Sequence, residues 1–198
     1  DYQLSGQMTP MEIAADILDA TPTDTTVSIL AGWRIEEIAA SLAAGGLQID
    51  AEEFINLAYH PLPEYFAYLP VDDAPSLEGY LYPGVYTIPR DADINTLIET
   101  FLAAFSANVS QEMLDGFAQQ GLTVQEAVTL ASIIEKEAMV DDEKPLIASV
   151  FYNRLAVGMR LESDATGQYA IGYQRDLGTW WKSPLSGAEL VVESVYNT

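Results

Sequence analysis

Six of the ten prolines fall between positions 60 and 89, at Pro61, Pro63, Pro70, Pro75, Pro83 and Pro89. Each proline removes a backbone donor and fixes φ, so this density excludes a long helix or a central strand there. The chain is thereby divided into a stretch of turns and short pieces with helix-patterned sequence on either side. The same stretch carries Tyr65, Tyr68, Tyr80, Tyr82 and Tyr86, with Tyr59 at its edge. Rings held in a proline-shaped loop can stack on sugars or close a core, and the second use is the commoner.

Before that stretch, Thr9-Pro10-Met11-Glu12 sets an N-cap and a proline at the first helical position, predicting a helix to about position 20 that Pro22 ends. Residues 2–4 read as the tail of a strand. β-branched alternation predicts a strand over 25–30, then a turn at Ala31-Gly32 and helices over 34–44 and 51–59. Beyond the prolines, helices are expected over 93–107, 110–120, 123–139 and 144–155. The third of these carries a capping box, Thr123 with Glu126. Residues 159–173 read as loop and short strand, and Ser183-Pro184 opens a further short stretch that ends at Asn197. The expected class is α+β, predominantly helical with short strands.

With 198 residues, 49% of them apolar, the chain can bury a core, and the absence of cysteine excludes a disulfide framework and thiolate metal or redox sites. No apolar run reaches the ~18–20 residues of a membrane helix, and positions 1–10 lack a signal-peptide pattern. A net charge of −22 repels phosphates, which argues against a nucleic-acid partner. The imbalance is uneven: only Arg34 and Arg90 offset the acids of residues 1–135, whereas Lys136, Lys144, Arg154, Arg160, Arg175 and Lys182 crowd into the remainder. Either the first part is simply a solubilising surface, or the last third holds a site for an anionic ligand.

His60 is the only histidine, so a triad or a multi-imidazole metal site is not available, and no glycine-rich phosphate cradle is present. Chemistry must come from carboxylates and hydroxyls. On a helical wheel with Glu137 as zero, Leu130 lies about 20° away, Ile133 about 40° to one side and Ile134 about 60° to the other. A carboxyl over such an aliphatic wall loses hydration when it ionises, which is how a protein keeps an acid protonated at neutral pH. Glu135 points roughly opposite, beside Val128, and the apolar arc is centred between the two. Periodicity does not choose between them, and both could be solvated residues at the edge of the stripe.

Four segments carry a more specific signal: Leu130-Ala131-Ser132-Ile133-Ile134-Glu135-Lys136-Glu137-Ala138, Val150-Phe151-Tyr152-Asn153-Arg154-Leu155, Gly158-Met159-Arg160-Leu161-Glu162-Ser163-Asp164-Ala165-Thr166 and Ser194-Val195-Tyr196-Asn197-Thr198. Together with Leu77-Glu78-Gly79-Tyr80-Leu81-Tyr82-Pro83, and in this order, they resemble the endolytic murein transglycosylases of the YceG-like (MltG) family. The resemblance runs from about Val27 to the last residue. It departs at Ala165, where the family usually has proline, and at Gly167, where it usually has a branched residue.

The resemblance implies a transglycosylase catalytic domain over 27–198, truncated at its C-terminus, with 1–26 as linker and remnant of a LysM-like subdomain. It implies cleavage of the β-1,4 bond between N-acetylmuramic acid and N-acetylglucosamine within glycan strands, without water, to leave 1,6-anhydro ends. The second Glu of the Glu-Lys-Glu motif, Glu137, would be the catalytic group. By motif match, Glu78, Asn153, Ser163, Asp164, Thr166, Tyr196 and Asn197 are candidates for substrate binding, each with a structural role as the competing reading. Neither cofactor nor metal is implied. The implied partners are peptidoglycan strands and cell-wall synthases, with no nucleic acid. The implied place is extracytoplasmic, on a membrane helix preceding Asp1. A non-catalytic glycan scaffold and a hydrolytic muramidase are the rival functions.

Overall fold

The computed structural model describes residues 5–18 and 23–197. The predicted strand tail at 2–4 and the helix stop at Pro22 lie outside them. Two compact units are present, one ending at Ser110 and one beginning at Gln111. Helices joined to a small two-stranded sheet make the class α+β.

In the first unit, α1 (Pro10–Leu18) starts where its capping sequence places it: the Glu12 carboxylate accepts from Thr9 N at 2.6 Å and from Thr9 Oγ1 at 2.7 Å. β1 (Asp24–Ile29) pairs antiparallel with β2 (Gly84–Pro89), Asp24 opposite Pro89 and Ile29 opposite Gly84. β2 is a short element within the proline stretch, six residues long, and so agrees with the exclusion of long regular elements there, although the sequence reading does not predict its strand character. Pro83 precedes it and Pro89 is its last residue, so the β-branched and aromatic run Val85-Tyr86-Thr87-Ile88 between them keeps the backbone N–H groups that a ladder with β1 needs.

α2 (Ile35–Ala44) buries Ile35, Ile38, Ala39 and Leu42, the spacing of one helical face, and packs on β1. α3 (Ala51–Tyr59) is capped by Asp50, which accepts from Glu52 N and Glu53 N, and buries Phe54 and Ala58 against α2. A 3₁₀ turn over Pro63–Tyr68 packs on α4 (Ile94–Asn108), whose buried face is Leu97, Ile98, Phe101, Leu102 and Phe105.

The tyrosines of the proline stretch serve this core. Tyr65 is 0% and Tyr80 2% exposed, and Tyr80 and Tyr86 meet Phe105 and Phe101 edge-on at 5.2 and 4.8 Å. Their polar ends mostly close on internal partners: Tyr65 Oη donates to Asn95 Oδ1 at 2.5 Å, Tyr68 Oη to Glu99 at 3.0 Å, and Tyr86 Oη to the Tyr82 carbonyl at 2.5 Å. These rings therefore close a core, the first of the two uses open to them being absent from Tyr65 and Tyr80.

The second unit is helical. α5 (Gln111–Gln119) leads through Gly121 into α6 (Val124–Glu137), with the capping box at Thr123 and Glu126 formed as the sequence predicts. α7 (Lys144–Ala156) packs on α6, and a small core collects Leu130, Ile133, Phe151 and Leu161, flanked by Leu122, Ile134, Ile147 and Tyr152. The expectation of loop and strand over 159–173 is overturned by α8 (Asp164–Ile171), also packed on α6. Thr166 and Gly167 are poor helix formers and the segment shows no apolar period, so tertiary packing sets this helix. Both departures from the family pattern fall inside it. Ala165 stands in the first turn, where proline is tolerated, and Gly167 is buried so that an added Cβ would meet Leu185 Cδ1 at 2.9 Å.

Candidate functional site

α6 ends on Glu137, and at Ala138 the backbone turns to extended values, φ −74° and ψ 127°. The helix ends two residues earlier than expected, with consequences for the wheel argument. Leu130 and Ile133 are buried beneath Phe151 and Leu161, so the aliphatic wall is consumed by the core, while Glu137 has no further turn above it and is exposed. The dry surrounding expected for its carboxyl is not supplied by the second unit's own side chains.

The two glutamates of the motif nevertheless differ in what they touch. Glu135 Oε2 lies 2.7 Å from Lys144 Nζ, and the same ammonium reaches Asp141 at 2.7 Å. The hydrogen bonds that its ammonium donates to Asp141 and Glu135 hold Lys144 well above the ordinary lysine range, so it stays charged. Glu137 receives a neutral donor instead: Ser163 Oγ donates to Glu137 Oε1.

Ser163 is the N-cap residue of α8 and 7% exposed, yet its side chain makes no capping bond to that helix. The start of α8 is closed through the Ser163 carbonyl, which accepts from Thr166 N at 3.2 Å and Thr166 Oγ1 at 2.7 Å. Just before it, Glu162 adopts φ 52°, a left-handed value uncommon for a residue with a Cβ, and Arg154 Nη1 donates to the Leu161 carbonyl. These contacts place the serine where its hydroxyl meets the end of α6.

Glu137, Ser163 and Thr166 are thus brought into one hydrogen-bonded chain. Asp164 is exposed at the first position of α8, where the helix dipole favours an anion. Tyr196 is 55% exposed and sets its ring edge-on to Tyr169 of α8 at 4.9 Å. Asn197 ties the tail together: its Nδ2 donates to the carbonyls of Leu190 at 3.1 Å and Val192 at 2.9 Å, and its own carbonyl accepts from Arg160 at 3.2 Å. Asn153 is exposed near the end of α7. Glu78 belongs to the first unit, where Oε2 accepts from Ile35 N at 3.4 Å, at the first turn of α2.

Two contacts of the second unit escaped the sequence reading. Lys136 places Nζ 3.5 Å over the ring of Trp181, and Tyr169 backs Tyr196. The lysine and tryptophan are distant in sequence, and only the aromatic residue type hinted at the contact. The cations of the last third are largely engaged within the unit: Lys136 on Trp181, Lys144 on Glu135 and Asp141, Arg154 on Leu161 and Glu162, Arg160 on Asn197, and Lys182 on Glu189. Lys182, and then Ser186, bring the Glu189 carboxyl down to about 2. That pattern favours structural use of the charges over capture of an anion. Among the described residues no helix is long and apolar enough to cross a membrane, and no cluster of His, Asp and Glu is placed to hold a metal. His60 is an exposed cap residue at the end of α3.

An α+β chain whose second unit presents an exposed glutamate at a helix end, held by a serine from a facing helix, has close counterparts. A sequence profile of the YceG-like family matches residues 1–198. The endolytic murein transglycosylase of Streptococcus pneumoniae serotype 2 (strain D39 / NCTC 7466) is 36% identical over 169 residues, covering 76% of this chain and 30% of that protein. That of Bacillus subtilis (strain 168) is 28% identical over 183 residues, covering 87% of this chain and 49% of that protein. A crystal structure of the yceG-like protein lmo1499 from Listeria monocytogenes superposes with a TM-score of 0.74 at 30% identity, over 99% of this chain and 66% of that one. The chain belongs to the YceG-like family, and it spans about a third to a half of the length of these two curated relatives.

Proposed function

We propose that the chain carries the cutting site of an endolytic murein transglycosylase, a lyase acting on peptidoglycan. Glu137 is the single catalytic carboxyl. Protonated, it gives its proton to the oxygen leaving C1 of N-acetylmuramic acid as the C1–O bond breaks. As carboxylate, it takes the proton from the 6-hydroxyl of the same sugar, whose oxygen closes on C1. One group serves twice, the 1,6-anhydro ring forms, and no water enters, in contrast to hydrolases that need two carboxylates. The observation that carries this reading is the asymmetry of the Glu-Lys-Glu motif: Glu135 is committed to a fixed ammonium, whereas Glu137 is exposed and held by a hydroxyl. A glycan strand laid over Glu137 supplies the dehydration that the second unit's own side chains leave undone.

By motif match, the exposed Tyr196 ring offers a face for a sugar, and Asp164 and Asn153 offer polar groups to its hydroxyl and acetamido substituents. Thr166 and Asn197 support the site through backbone bonds, and Glu78 braces the start of α2. The remaining elements of the reading are an extracytoplasmic location on a membrane helix outside this sequence, a remnant of a LysM-like subdomain within residues 1–26, and cell-wall synthases as partners.

The test is digestion of purified sacculi by the full-length protein in water labelled with heavy oxygen, followed by mass spectrometry of the products. Unlabelled 1,6-anhydro-muramyl ends, one water lighter than reducing ends, are expected. Labelled reducing ends would make the protein a muramidase, and glycan binding without new ends would make it a scaffold.

A further inference from the structure

The reading of Glu137 as acid and base leaves open which of its two oxygens holds the proton, and the hydrogen bond from Ser163 bears on this. We infer that Ser163 is a positioning residue that reserves Glu137 Oε1, so that the transferable proton resides on Oε2. This inference rests on the proposed catalytic role of Glu137.

An N-cap serine ordinarily turns its oxygen to the backbone N–H groups of its own helix. Ser163 does not: it makes no side-chain cap to α8 and directs its O–H to Glu137 Oε1. The residue is 93% buried, since its exposure is 7%, so the hydroxyl cannot exchange this partner freely for bulk water. Its backbone is fixed from both sides. Thr166 closes on the Ser163 carbonyl at 2.7 Å, and Arg154 holds the carbonyl of Leu161, two residues earlier. Since α8 is closed through that carbonyl, the hydroxyl is available for the glutamate.

A serine hydroxyl has one proton to donate. While that proton points at Oε1, a carboxylic proton on the same oxygen would face it directly, so the neutral acid keeps its proton on Oε2. The arrangement survives the return step, when the carboxylate left on Glu137 takes the 6-hydroxyl proton, because Ser163 still occupies Oε1. Ser163 neither gives up nor gains a proton through the cycle. It fixes the rotation of the carboxyl group, and misplacement of a reacting group by about 1 Å is enough to cost ~100-fold in rate.

The experiment compares Ser163→Ala, Ser163→Thr and Glu137→Gln in the full-length protein, with soluble uncrosslinked glycan strands as substrate and release of anhydro ends as readout. Ser163→Ala is expected to lower kcat by about 10- to 100-fold with KM held within about twofold, and Ser163→Thr, which keeps the hydroxyl, to restore most of the loss. The melting temperature should stay near that of the parent, since no side-chain cap is removed. Parental kcat in Ser163→Ala overturns the inference, as does a loss confined to KM, which would place the hydroxyl on the glycan, or a loss that Thr does not restore. Glu137→Gln separates the two levels. If it stays active, the catalytic reading of Glu137 falls and takes this inference with it. If it is inactive while Ser163→Ala is unimpaired, only the inference falls.

Discussion

In the unit ending at Ser110, aromatic rings and their hydroxyls close upon one another within a large core: Tyr65 on Asn95, Tyr86 on the Tyr82 carbonyl, and Phe101 and Phe105 against tyrosine edges. The unit beginning at Gln111 gathers a smaller core around Leu130, Ile133, Phe151 and Leu161, and its polar side chains link separate segments instead, Ser163 to Glu137, Arg154 to Leu161, and Asn197 to Leu190 and Val192. Apolar residues stand exposed on its surface, among them Leu146, Val157 and Val191. The difference teaches where each unit's side chains are spent. The first uses its rings to hold itself together, while the second uses polar contacts to fix a carboxyl that remains accessible.

The comparison is most severely tested by truncating one phenylalanine in each unit. Phe101→Ala removes a fully buried ring and should cost about 3–5 kcal/mol of unfolding free energy. Phe151→Ala, in the smaller cluster, should cost less, at the lower end of that range, about 3 kcal/mol. Denaturant titration followed by circular dichroism measures both, and an equal or larger loss at Phe151 would break the contrast. A finer test uses two tyrosines of the first unit. Tyr65→Phe deletes a buried hydroxyl that Asn95 accepts from, and should destabilise by about 1 kcal/mol. Tyr80 Oη is buried with no hydrogen-bond partner among the described residues, and burial pushes this phenol above its usual range. Tyr80→Phe should therefore be neutral or stabilise by up to about 1 kcal/mol. Equal losses at the two positions would show that the Tyr80 hydroxyl is also satisfied.

Much of the scaffold is legible in the sequence because local chemistry fixes it. Thr9 with Glu12, Asp50, Asp93 and Thr123 with Glu126 each start a helix where the capping residues stand. Elements set by distant partners are not legible. β2 hides within the proline stretch because its pairing with β1 makes it a strand, and α8 hides behind Thr166 and Gly167 because its packing on α6 makes it a helix. The site follows the same division. The motif match selects Glu137 and leaves Ser163 as one of seven further candidates; that the serine donates to the glutamate, 26 residues apart, is a fact of tertiary structure. The wheel placed an aliphatic wall near Glu137 and could not show that α6 would stop there and leave the carboxyl exposed.

The most direct measurement substitutes the two glutamates of the motif one at a time, Glu137→Gln and Glu135→Gln, in the full-length protein, and counts 1,6-anhydro ends released from sacculi. Glu137→Gln should reduce release by about 100-fold or more, the scale of lost general acid–base catalysis. Glu135→Gln, which removes only one carboxylate partner of Lys144, should retain release within about threefold. Full release by Glu137→Gln, or collapse of release in Glu135→Gln with the fold intact, would contradict the assignment of the chemistry to Glu137.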